Sequence, residues 1–450
     1  MSLPTILRIR EGEDDMDSAR SMNSAQGKTA ETDNEPSAAW MTPRDDQQHR
    51  VPVRTGVALA LGVLLWLGPY LGLVGVLVPQ QVARIDPANK TGDIALMSTV
   101  AMIVSTIANI VEGGLSDRTR SRWGRRTPWI VAGSVGTFVC VLFWGQCSAV
   151  WQVVLSDSVY MIFLNMIVAP LIAVIADRTA PKYRGTISSV YALGNSAGQY
   201  GGQMLASFFL PMPKTGFLVL AVMSLLSGPV AALILREGST KNMPVSPVTW
   251  KTFSDNFVFP THHVRDYYLA LFGKLSIQTA SFAISGYQLY ILTDYVMLKG
   301  NALQAYVSAI SMIMMVTAIV MCIGAGPVSD KLHIRKVPVI IAGLLIAVGS
   351  FLPALTNRPF IMLAYAVVVG IGMGMFNSVD QALNIEVLPD QRTAAKDLGI
   401  LNIANNGGQV LGPIFSAAII KIVGYSGVFP LAAVLAAVGV CLIFSIRKVK

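Results

Sequence analysis

The sequence predicts an all-α membrane protein, with twelve transmembrane helices in two parallel six-helix repeats. Three observations carry that prediction. Charged residues are scarce, at 13% of 450, while 53% are apolar and the mean hydropathy is +0.57; soluble chains average about 25% charged. Twelve apolar spans follow residue 55, each about 20 residues or longer, enough to cross roughly 30 Å of hydrocarbon as helix. Short motifs also recur at a constant offset, about half the length of the membrane region.

Taken in chain order, residues 1–54 are polar, mixed in charge and without periodicity. They are expected to form a disordered cytoplasmic tail, and they lack the continuous apolar core of a signal peptide. The spans are expected near 56–80, 94–115, 127–149, 151–176, 185–209 and 215–235, then 266–292, 303–326, 337–356, 359–387, 397–421 and 426–446. Helices are the default because lipid offers no partner to an open backbone. The resulting units are an N-terminal bundle at 55–235, a cytoplasmic linker at 236–265 and a C-terminal bundle at 266–450.

Lysine and arginine set the orientation. One set of loops carries twenty of them and the alternate set six, Arg84, Lys90, Lys214, Lys299, Arg358 and Lys421. The richer set is expected to be cytoplasmic, with both termini on that side of a bacterial-type plasma membrane. The net charge of +9 therefore reads as topology and not as a nucleic-acid footprint. The four cysteines, Cys140, Cys147, Cys322 and Cys441, have no metal-ligand spacing and read as small core residues. No phosphate-binding loop or nucleophile elbow is present, and His262-His263 has no third ligand nearby. The expectation is a monomer that is not an enzyme, with no metal and no cofactor.

The repeat is explicit. GGLSD at Gly113–Asp117 matches GPVSD at Gly326–Asp330 with an offset of 213. Pro128-Trp129-Ile130 matches Pro338-Val339-Ile340 at 210, as do Asn195 with Asn405 and Gly198-Gln199 with Gly408-Gln409. The stretch GGLSDRTRSRWGRRTPWI resembles the loop between helices 2 and 3 of the major facilitator superfamily. Its form DRTRSRWGRR followed by PW is most similar to the glycoside–pentoside–hexuronide:cation symporters and the sucrose–proton symporters. ADRTAPKYRG and VDQALNIEVLPDQRTAAKDLGILNIANNGGQVLGP resemble the loop after helix 4 and helices 10 and 11 of the same group. The resemblance implies proton-coupled uptake of a sugar or glycoside by alternating access. The competing expectation is a proton-driven exporter of an amphipathic molecule, for which Met312, Met314 and Met315 are the sign.

Charge at mid-bilayer costs roughly 2.5–3.5 kcal/mol on insertion scales. Lys274 and Asp380 fall at equal depth, about 12–14 Å from the cytoplasmic face, and the resemblance puts helices 7 and 10 on one cavity. They form the leading ion pair, read either as a proton or substrate switch or as a permanent packing pair. Lys274, Gln278, Ser281, Ser285 and Gln288 make one polar face, and Asn377, Asp380 and Asn384 another. Asp157 reads as a functional acid or as a solvated carboxylate at a helix N-terminus. Melibiose-type members use acids on helices 2 and 4 for a cation; here helix 2 has none before Glu112, which points to a proton.

Tyr191, Asn195, Gln199 and Gln203 on helix 5, and Asn402, Asn405, Asn406 and Gln409 on helix 11, offer donors and acceptors to sugar hydroxyls or to neighbouring helices. Trp66, Tyr70, Tyr287 and Tyr290 are candidates for stacking on a sugar ring or for plain packing. By resemblance, Asp117 caps helix 11 and Asp330 caps helix 5 across the interface, with Arg118, Arg125 and Arg126 bracing the loop in a gating role.

Overall fold

The structure, a computed structural model, describes residues 43, 45–241, 264–332, 335–388 and 394–447. Twelve long helices run through them: α1 (Val53–Ile85), α2 (Lys90–Arg118), α3 (Thr127–Trp144), α4 (Val150–Arg178), α5 (Pro181–Ser207) and α6 (Pro213–Leu235), then α7 (Arg265–Ser285), α8 (Gly300–Leu332), α9 (Lys336–Leu355), α10 (Pro359–Glu386), α11 (Ala394–Val423) and α12 (Val428–Phe444). No strand occurs among the described residues. Each helix falls on one expected span. Proline opens α5, α6 and α10, where its missing N–H has no intrahelical partner to lose.

Ten of the twelve are long and apolar enough to cross a membrane. The exceptions are α5 and α7, the helices on which the sequence places the longest polar faces. Polar groups at membrane depth must face protein or water, so the two least apolar helices belong inside the bundle.

The repeat is visible in the packing. α1 lies against α5 at glycine contacts, where a Cβ on Gly202 would fall 2.0 Å from the Gly68 carbonyl oxygen. The counterpart at offset 210, Gly412, presses in the same way on the Phe282–Ala283 backbone of α7. Close backbone approach through small residues is the usual adhesive of membrane helices. The cysteines are free, and they are less buried than expected: Cys441 is exposed and the other three half-buried. Tolerance of a small side chain at a lipid-facing position explains the difference.

Two helix ends in the first half are capped by distant chain. α6 ends at Arg236, which turns into the left-handed region at φ 44°. That turn throws Glu237 onto the start of α3. Its Oε2 accepts from the N–H groups of Arg126 (3.0 Å) and Thr127 (2.8 Å) and from the Thr127 hydroxyl (3.0 Å). On α5, Asp45 Oδ1 accepts from the Lys182 N–H and Gln48 Oε1 from the Ala180 N–H. Neither helix has its own capping side chain. Residues 45–49, expected to be without structure, are thus held by polar caps that no hydrophobic period reveals.

Candidate functional site

At the centre of the second half, Lys274 Nζ lies 2.6 Å from Asp380 Oδ2, both side chains being more than nine-tenths buried. Asn384, one turn along α10, donates its Nδ2 to the same oxygen at 2.9 Å. One turn along α7, Gln278 donates to Asn405 Oδ1 of α11 at 2.9 Å. The pair and the two amide contacts therefore tie α7, α10 and α11 into one polar centre. Gln278 Oε1 and Asn384 Oδ1 are buried without a partner, so the centre keeps two spare acceptors. Asn377 is half-buried on the Asp380 face.

The polar stripes of α5 and α11 grade in accessibility. On α5, Ser188 is exposed, Asn195 and Gln199 are half-buried and Gln203 is buried. On α11, Asn406 is exposed and Asn405 and Gln409 are half-buried; the Asn402 side chain lies outside the described residues. The α5 stripe opens toward the side of the basic loops and closes toward the other. Cβ atoms added at Gly92, Gly300 and Gly424 would meet nothing within 4 Å, nor would those at Gly113, Gly114, Gly185 and Gly324 on the basic side.

The opposite side is shut by contacts between the halves that sequence reasoning missed. Lys90 at the start of α2 pairs with Asp294, beyond α7, at 2.6 Å. Tyr425 donates to Asp294 Oδ2 (2.9 Å), and Thr293 to its Oδ1 (2.8 Å). Burial raises the Asp294 carboxyl, but the hydrogen bonds from Lys90, Thr293 and Tyr425 outweigh it and hold the group below its ordinary value. Lys90 also sits 4.8 Å from the Tyr290 ring centre. The Tyr290 hydroxyl donates to the Pro79 carbonyl (2.8 Å), and that of Tyr287 to the Thr91 carbonyl (2.7 Å), with the Pro413 carbonyl 3.2 Å away.

Tyr287 and Tyr290, candidates for sugar stacking in the sequence, are therefore bolts between the halves. Each partner chain segment is irregular. α1 passes through a π turn at Leu73–Leu77, next to Pro79, whose missing N–H leaves the Gly75 carbonyl without its usual donor. A second π turn, Ile291–Tyr295, carries Asp294 itself. Lys90 and Asp294 are 204 residues apart, and each looks like an ordinary loop charge in sequence.

Asp157 is not the solvated helix-end carboxylate that one reading expected. It is 1% exposed inside the first half, and its Oδ1 has no partner. Tyr70 stacks on Tyr160 beside it, with ring centres 6.0 Å apart. Trp66 is buried in the same half with its Nε1 unpartnered. Glu112 is buried too, on a face of α2 with Ser105, Asn109 and Ser116; Asn109 donates to Asn165 of α4 (3.0 Å), which donates to Ser105 (2.9 Å).

In the basic loop, buried Arg126 binds Asp117 Oδ1 (2.6 Å), Asp177 Oδ2 (3.0 Å) and the Ser116 hydroxyl (3.2 Å). Arg125 pairs with the other oxygen of Asp177. Arg118 is exposed at the last turn of α2. Asp117 is thus held within its own half here. The start of α11, its expected partner, falls at residues 394–399, whose side chains lie outside the described residues, as does that of Asp330. The second half repeats the arrangement. Arg335 binds Ser329 (3.1 Å) and Glu386 (3.4 Å), as Arg126 binds Ser116 and Asp177. The linker from residue 242 to 263, with His262-His263, also lies outside the described residues.

A twelve-helix bundle with a duplicated half, a buried ion pair between α7 and α10 and paired loop arginines fits a family model that covers most of the chain. The model described as Major Facilitator Superfamily matches residues 60–337 and 275–450. The chain belongs to the Major Facilitator Superfamily. Among solved structures of this fold, a POT family transporter in complex with 5-aminolevulinic acid aligns with a TM-score of 0.67 at 12% identity, covering 87% of this chain and 95% of that one. A bacterial homolog of the human lysosomal transporter Spinster, inward-facing and unoccupied, gives 0.62 at 15%, covering 88% and 95%. The human organic anion transporter MFSD10 gives 0.61 at 15%, covering 88% and 100%. No curated protein sequence matches the chain. This Major Facilitator chain therefore shares a transporter scaffold with relatives whose cargoes differ.

Proposed function

We propose that this superfamily member is a secondary active transporter that carries a sugar or glycoside inward with a proton by alternating access. The observation that supports the reading is the buried Lys274–Asp380 pair with spare acceptors around it. In the closed pair each charge satisfies the other. A proton on Asp380 neutralises it and frees Lys274 to donate to a solute hydroxyl. Gln278 and Asn384 then offer acceptors, with Asn405 held beside Gln278, and Asn377 lies on the same α10 face. Asn195, Gln199 and Gln409 complete a rim that suits a hydroxyl-rich solute. Asp157 is a second carboxyl able to carry a proton, in the other half.

In this reading the basic side is cytoplasmic, both termini lie there, and the chain works as a monomer in the plasma membrane. The described arrangement is then inward-open. Its alternate requires the Lys90–Asp294 latch to part and the open glycine faces of α2, α5 and α8 to find partners. Asp117 and Asp330 act as gate anchors in that state, with Arg118, Arg125 and Arg126 holding the loop. Asp117→Asn should slow transport without blocking membrane insertion.

The test uses cells overproducing the protein in weakly buffered medium, with external pH recorded as each sugar is added. The expected result is a sugar-specific alkalinisation that Asp380→Asn abolishes. Silence toward every sugar, with the protein present in the membrane, favours the alternative, proton-driven export of an amphipathic molecule. That alternative draws on Met315, which packs against Gly201 where the halves meet.

A further inference from the structure

The two halves differ at one cap. In the first, the start of α3 is seated on Glu237, from the chain that follows α6. Counted from the helix ends, Arg126 before α3 answers to Arg335 before α9, and Glu237, two residues past α6, answers to Ile446, two residues past α12, with Arg447 next to it. The counterpart of α3 is α9, which begins at Lys336 with no side-chain cap and no acid in its first turn. Where the first half supplies a carboxylate, the second supplies an apolar side chain with a guanidinium beside it.

The consequence is a cleft of about 510 Å³ lined by Arg265, Lys336, Phe444, Ser445, Ile446 and Arg447. Three cations from three elements meet there: the starts of α7 and α9 and the end of α12. α7 also begins without a side-chain cap. Lys336 donates to the Ile446 carbonyl (2.6 Å) and lies 5.3 Å from the Phe444 ring centre. Among the described residues one acid stands nearby, Asp266, whose Oδ2 is engaged by the Arg447 N–H at 3.1 Å. Neither Arg265 nor Arg447 is salt-bridged to a carboxylate among the described residues. Two uncapped helix starts and three cations form a seat for an anion.

The surroundings say which anion. The cleft opens at the membrane ends of α7, α9 and α12. Phe444, Val337 and Ile341 beside it are exposed, an apolar face suited to acyl chains. Basic pockets between transmembrane helices on the cytoplasmic side are sites for acidic headgroups. We propose that the cleft binds the phosphate of an anionic phospholipid from the leaflet on the basic side, taking the seat that Glu237 fills in the other half. A lipid there would brace α7, which carries Lys274, against α9 and α12.

The experiment titrates the full-length protein in neutral detergent with phosphatidylglycerol or phosphatidylcholine and counts bound lipid by native mass spectrometry. Arg447→Glu replaces one of the three cations with a carboxylate. It should weaken phosphatidylglycerol binding at one site by at least about tenfold, leave phosphatidylcholine unchanged and melt no lower than the wild type without lipid. Arg265→Gln, on an exposed side chain, should weaken binding about fivefold and guards against a folding defect in the first variant. Equal phosphatidylglycerol binding by wild type and both variants overturns the proposal. Inorganic phosphate that raises the wild-type melting temperature as much as the lipid does would assign the cleft to a soluble anion, and would also overturn it.

Discussion

Asp380 in the second half and Asp157 in the first are 7% and 1% exposed, yet among the described residues only Asp380 has a cation beside it. The position that answers to Asp157 at offset 210 is Val367, and packing on the matched glycines of α5 and α11 aligns Leu64 with Gln278, which makes Ala60 the counterpart of Lys274. Duplication therefore supplied the scaffold twice, while the buried charges were placed separately in each half. The loops show the opposite case. Arg126 with Ser116 and Asp177 recurs as Arg335 with Ser329 and Glu386, so the structural arginine was retained in both copies. The loop arginine repeats, and so do the rim amides Asn195 with Asn405 and Gln199 with Gln409, whereas the buried charges do not.

The sharpest way to break this comparison is at the buried pair. Lys274→Ala strands a carboxylate and should cost about 3–5 kcal/mol, read as a fall in melting temperature, with transport lost. The double variant Lys274→Ala/Asp380→Ala should regain most of the stability and none of the transport. Asp157→Asn, which removes no ion-pair partner, should leave the melting temperature close to wild type; an equal loss would erase the contrast between the halves.

Next in size are the loop arginines. Arg126 is buried between two carboxylates, whereas Arg335 is more exposed and holds one at 3.4 Å. Arg126→Ala should cost about 3 kcal/mol and Arg335→Ala about 1 kcal/mol or less, by thermal unfolding. Comparable losses would mean that the two loops bear equal load.

Removing the distant cap on α3 is a smaller change. Glu237→Ala should cost about 1 kcal/mol, within the ordinary range for a lost N-terminal cap. Faster hydrogen exchange confined to the first turn of α3 is the expected signature, and protection unchanged there would show that the cap is idle.

The smallest effect is a pH dependence. The Asp294 carboxyl is held below its ordinary value in the latched state. A lowered carboxyl contributes fully above its ordinary pKa of about 4 and loses that contribution as pH falls through the lowered one. Cysteine cross-linking between the halves on the latch side should thus be steady from neutral pH to about 4 and weaken only below it. Asp294→Asn should remove the dependence. A latch that loosens near pH 6 would implicate a different group.

Several of these features were legible in the residues alone. Apolar length placed the twelve helices, and the constant offset related the halves, because lipid leaves a buried backbone no alternative to helix. Lys274 and Asp380 stood out because charge is rare at that depth and their depths agree; the two lie 2.6 Å apart. The burial of Asp157 was not legible, since a residue six positions into a helix can face water or protein and only neighbouring helices decide. The latch was hidden for a related reason. Lys90, Asp294 and Tyr425 sit near helix ends, where charge and tyrosine are common, and nothing local joins residues from three distant segments.

The sequence by itself determined which segments cross the membrane, that they form two copies of one unit and which charges are costly enough to need partners. Those properties are set by composition, length and spacing, and each can be summed along the chain. Tertiary structure alone decided which side of the bundle is shut, that Tyr287 and Tyr290 bolt the halves and that Glu237 caps a helix 110 residues away. Those outcomes depend on how two finished bundles meet. A hydrogen bond between them is worth about as much as any other, so no single residue announces it.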